Sequence, residues 1–70
     1  MTPDQLRQAL KELKGDRLAV FAVVGLPDHI TVHNAMLIPD EPDHLVKVTD
    51  GKSVFIIDAE RVAWVRIGLK

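Results

Sequence analysis

The chain has 70 residues, 47% of them apolar, with nine Lys and Arg against ten Asp and Glu and a formal charge of -1. It has no cysteine, and its only aromatic residues are Phe21, Phe55 and Trp64. These figures exclude two domains, a disulfide framework, a zinc–thiolate site and the broadly basic surface of a nonspecific nucleic-acid binder. No apolar run approaches the ~18 residues of a membrane span. Met1-Thr2-Pro3-Asp4-Gln5 places no basic segment before an apolar one, so no signal peptide is expected and the expected location is the cytoplasm.

Residues 3–14 read as one helix. Thr2 is an N-cap with Gln5 at the capping-box spacing, and Pro3 sits at the first helical position, where its missing N–H costs nothing. Leu6, Leu10 and Leu13 form one apolar stripe, widened by Ala9, and Gly15 suits the residue just past the end. Three turns do not persist alone, so the helix must lie on something.

From Arg17 the pattern changes to strands. Residues 17–24 (RLAVFAVV) are apolar on both parities, which calls for cover on both faces. Gly25-Leu26-Pro27-Asp28 is a turn. Residues 29–38 form a second strand, with Ile30, Val32, Met36 and Ile38 on a parity interrupted by Asn34. An acidic loop twice broken by proline, residues 39–43, leads to a third strand at 44–49. Asp50-Gly51 predicts a two-residue type I′ hairpin into a fourth strand at 52–58. Ala59-Glu60 is a tight connection to a fifth strand at 61–67.

The expected fold is therefore mainly β with one N-terminal α-helix, a single domain over residues 1–70. Five short antiparallel strands would close into a small, strongly bent barrel, which hides sheet edges. An open antiparallel sheet with the helix on one face is the competing arrangement. A chain this short buries only about 60% of its unfolded surface. Yet Val and Ile alone supply 14 residues. Burial against sister copies is the simplest outlet, so a homo-oligomer is expected. Val62, Trp64, Val65 and Ile67 of the last strand are the candidate subunit contact.

Chemistry-bearing residues are sparse. His29 and His33 would chelate one ion on a helix, but in a strand they stand roughly 13 Å apart. His44 begins another strand, and no metal or other cofactor is expected. The single serine, Ser53, stands at a strand start, and no Gly-rich phosphate loop, G-x-S-x-G or H-E-x-x-H is present. The chain is read as non-catalytic. Arg7, Lys11 and Lys14 share a helix face at i, i+4, i+7 and are the candidate nucleic-acid contact. Trp64 lies between Ala63 and Val65, a setting that favours core or interface over base stacking.

The order of one helix and five strands resembles the Sm-like fold, whose small bent barrels form rings by pairing their edge strands. The local match is Ile57-Asp58-Ala59-Glu60-Arg61-Val62. Ile57 and Val62 stand at the two aliphatic positions of the family's second motif. Asp58 replaces its Arg and Ala59 its Gly, and His33-Asn34 faintly echoes the first motif. The resemblance implies a ring that contacts RNA or protein. In the family the Asn of the first motif and the Arg of the second grip RNA, and the acid at 58 departs from that pattern. The layout is also similar to SH3-like barrels, which implies an alternative: a monomeric or dimeric adaptor binding a protein partner without nucleic acid.

Overall fold

The computed structural model describes residues 1–69. Helix α1 spans Pro3–Leu10, followed by strands β1 (Lys14–Val23), β2 (Ile30–Leu37), β3 (Val46–Thr49) and β4 (Val54–Ile57). A 3₁₀ turn, Ala59–Arg61, leads into β5 (Val62–Ile67). The capping box forms as the sequence predicts. Gln5 N–H donates to Thr2 Oγ1 at 3.1 Å, and Thr2 N–H donates to Gln5 Oε1 at 3.0 Å. The helix is shorter than expected, with Lys11 as its C-cap. Lys14 has already joined the sheet opposite Met36. A ladder in β1 outweighs one more weakly held helical turn. Gly15 does carry positive φ, but within the irregular start of β1 instead of at the helix end.

All pairings are antiparallel, in the order β4-β3-β2-β1-β5. The strands begin and end one to two residues inside most of their expected limits. In β2 the parity inverts at Asn34, a left-handed residue at φ 50°. Two steps of β1 (Arg17 to Ala19) there face three steps of β2 (Val32 to Ala35), so a bulge absorbs the extra residue. Ile30 and Val32 face inward before it, Ala35 and Leu37 after it, and Met36 turns outward. The sequence expectation that Met36 shares the parity of Val32 is thereby corrected. The hairpin between β3 and β4 corrects the expected two-residue turn: Thr49 pairs with Val54, so the loop is the four residues 50–53. Positive φ falls at Gly51 but not at Asp50, whereas type I′ needs two such residues. Asp50 instead closes the loop with its side chain, accepting from the N–H groups of Lys52 and Ser53 at 2.8 and 2.7 Å.

The five-stranded, mainly β arrangement with one N-terminal helix is as expected, but the sheet is not closed, so "barrel" overstates it. It does curl. A flat sheet would hold β4 and β5 about four strand spacings, or ~19 Å, apart. Residues 58–61 join them, three of them in a 3₁₀ turn that rises only about 2 Å per residue. The two outer strands must therefore approach each other around the core. Leu6, Leu10 and Leu13 pack into the concave side against Phe21, Val32 and Val48, all buried. Ile57, Ala59 and Val62 complete the core where the last connection crosses it. The match segment quoted above thus contributes its aliphatic residues to the interior.

Candidate interaction surface

The convex side of the sheet receives every second residue and has no helix over it. Its centre is nevertheless dry. Val20 and Ala22 of β1 are nearly inaccessible although they lie outside the main core cluster. Across the ladder, Val20 faces Thr31 and Arg66, and Ala22 faces Trp64. The small Ala22 side chain leaves room for the Trp64 ring to lean toward β2. There it meets His29 edge to face, with centroids 4.9 Å apart and planes at 76°. The second cover expected over β1 is thus supplied by side chains of the same chain.

The rims are different. Among the described residues β4 pairs only with β3 and β5 only with β1, so each leaves an outer row of backbone groups without a strand partner, although the Met1 ammonium donates to the Val62 carbonyl at 3.4 Å at the start of β5. β4 reads Val54-Phe55-Ile56-Ile57, without charge or proline. Phe55 and Ile57 turn inward, while Val54 and Ile56 are 55% and 62% exposed. Exposed Met36 and Leu45 add apolar surface on the β3–β4 half of the molecule, while Val24, Leu26 and Leu69 are exposed elsewhere. Of the four residues expected at a subunit contact, Val62 is buried in the core and Val65 and Ile67 pack partly against it. Only Trp64 faces outward substantially, at 42%. The sequence reading did not single out Val54 or Ile56. Their signal was present: inward Phe55 and Ile57 leave the other parity of VFII apolar with nothing to cover it.

Beside the end of β4 lies a groove of about 430 Å³. Pro3, Leu45 and Ile56 supply apolar wall, and His44, Asp58 and Glu60 supply polar rim. Asp58 caps the 3₁₀ turn by accepting from Glu60 N–H at 3.2 Å, and its carboxylate lies 3.5 Å from Arg61 Nε. The acidic loop is strapped in place. Lys47 Nζ donates to Glu41 and Asp43 at 2.8 and 2.7 Å. That ammonium, with the Leu45 N–H, holds the Asp43 carboxyl below the ordinary aspartate range, and Asp43 and Glu41 raise Lys47 in turn.

The basic helix face does not assemble as the sequence suggests. Arg7 turns to the acidic loop, 3.1 Å from Asp40 and donating to the Leu45 carbonyl at 3.0 Å. Its side chain is only 13% exposed. Lys11 sits past the last helical turn and Lys14 lies in β1, so the three cations share no helical stripe. The correction follows from the early helix end and from the Asp40 carboxylate that Arg7 can reach. The histidines serve separate places: His29 on Trp64, His33 on the exposed side of β2, and His44 3.4 Å from Asp40. Ser53 belongs to the hairpin, where its carbonyl accepts from Thr49 Oγ1. Among the described residues no three His, Asp or Glu gather as a metal site, and no helix is long and apolar enough to cross a membrane.

Set beside protein-family models, curated proteins and solved structures, the chain matches none.

Proposed function

We infer that the chain is a non-catalytic binding or scaffold module that assembles with copies of itself through the two open rims of its sheet. One observation carries this reading: among the described residues neither rim is paired with a further strand, and outward-facing Val54 and Ile56 on one, with Trp64 on the other, hold large apolar surface in water. Main-chain pairing would satisfy the open backbone groups and cover these side chains together. Because the two rims differ, each copy offers one to the next, and successive contacts build a ring if the rotation closes. That habit agrees with the Sm-like resemblance. The partner such an assembly displays to is read as a protein. Asp58 stands where the family's RNA-gripping Arg would be, and Arg7 is already committed to the acidic loop.

Light scattering tests the reading directly. An assembly of several 7.8 kDa chains is expected, and a lone 7.8 kDa particle across the working concentration range overturns it. Titration with mixed-sequence RNA at low salt is expected to show no binding. Affinity that collapses as salt rises would bring RNA back as the partner. The groove favours a second reading, an SH3-like adaptor that takes an extended peptide along β4. A monomer that binds peptides carrying an aliphatic residue beside a Lys or Arg would establish it.

A further inference from the structure

The groove beside β4 sets apolar surface and an unanswered charge close together. Pro3, Leu45 and Ile56 wall it, and Val46, Ile57 and Ala59, all nearly inaccessible, form its floor. Its 430 Å³ falls within the range of small-molecule sites, about 300–1,000 Å³. The polar end is lopsided. Asp58 is engaged on both oxygens: one accepts from the Glu60 N–H, and the other lies 3.5 Å from Arg61 Nε. His44 is turned to the acidic loop, with Nδ1 3.4 Å from Asp40. The Glu60 carboxylate, by contrast, has no hydrogen-bond or ion-pair partner among the described residues.

We propose that this groove is a binding site for a small organic cation, a single ammonium group on a short aliphatic body. The body lies between Leu45 and Ile56 over Val46 and Ile57, and the ammonium donates to Glu60. An anion of the same size meets two carboxylates there, and a neutral molecule gains the walls alone. The dimensions favour a compact ligand over a protein segment. Ile56 and Glu60 are separated only by residues 57–59, and the 3₁₀ turn that carries Glu60 rises only about 2 Å per residue. One short molecule therefore spans the apolar and the acidic ends. The site is complete within a single chain, so it stands or falls apart from self-association.

Titration followed through backbone amide NMR shifts, with n-hexylammonium, 1-hexanol and hexanoate as probes, tests the assignment. Hexylammonium is expected to shift the amides of Val46, Ile57 and Glu60. It should bind about fivefold tighter than hexanol, the worth of one solvent-exposed ion pair, and hexanoate should bind more weakly than either. Butylammonium lacks two of the methylenes that the walls cover and should bind about tenfold more weakly than hexylammonium. Glu60→Gln should bring hexylammonium and hexanol to equal affinity and leave hexanol unchanged. Leu45→Ala should weaken both alike, and either variant serves if the other fails to fold. Absence of shifts with hexylammonium, equal affinity for all three probes in the unmodified chain, or shifts centred on Trp64 would overturn the site. A capped Leu-Lys dipeptide that binds more than about tenfold tighter than hexylammonium, with the same dependence on Glu60, would overturn the small-molecule assignment and give the groove to a protein segment.

Discussion

The two sides of the sheet follow the same alternation and end in different states. On the concave side, α1 lays Leu6 and Leu10 over Phe21, Val32 and Val48, and all five are almost completely buried. On the convex side only the middle is dry, where Trp64 and its neighbours crowd over Ala22 and Val20. Toward β4 the same side presents Met36, Val54 and Ile56 to water. A chain of this size has one helix to spend and thus can finish one side. The unfinished side is where a partner gains most area, and it adjoins a strand whose outer backbone row is also free.

Mutations on the two sides should separate cleanly. The largest effect is expected at Leu6→Ala, which removes a fully buried side chain and should lower unfolding free energy by about 2–5 kcal/mol in urea titration. A variant that loses less than about 1 kcal/mol would show that the concave side is looser than its burial implies. Thr2→Ala removes a cap that holds α1 at its start and should cost about 1 kcal/mol by the same measurement. Ile56→Lys on the convex side should change the stability of the single chain by no more than about 0.5 kcal/mol while reducing the sedimenting mass. An unchanged mass would mean that exposed Ile56 is ordinary surface.

The smallest effect concerns the acidic loop. Asp43 titrates below its usual value of 3.8 because Lys47 and the Leu45 N–H bind its charged form. A depressed carboxyl contributes stability above its unfolded value and loses it as pH falls through the folded one. Protection of the Leu45 amide, measured against its intrinsic exchange rate at each pH, should therefore fall as the solution is acidified below about pH 4. Asp43→Asn should flatten that dependence. Asp50 behaves alike, lowered by the N–H groups of Ser53 and Lys52, and Asp50→Ala should loosen the hairpin.

The fold was largely legible because its signals are local. Thr2, Pro3 and Gln5 mark a helix start by their own chemistry, and short apolar, β-branched runs between turn residues mark the strands. Asp50-Gly51 marks a hairpin, although its type depends on which side chain closes the loop. The end of α1 was not legible. Leu13 continues the helical stripe, and only the pairing of Lys14 with Met36 shows that the sheet claims the chain first. The rims were half legible. Val62, Trp64, Val65 and Ile67 look equally apolar in sequence and were all expected at the contact, yet only Trp64 of the four is substantially exposed. Which of them faces the core follows from the bulge at Ala63, a relation between strands. Arg7 shows the same limit, since helical spacing aligns it with Lys11 while Asp40, far along the chain, takes its charge.

Asn34 divides β2 into two stretches whose sidedness is set apart from each other. Even-numbered positions look inward before it and outward after it, so Met36 belongs to the display of the molecule and Val32 to its interior. A change at Met36 alters what neighbours touch and leaves the packing beneath undisturbed. One left-handed residue thereby frees half a central strand to diversify.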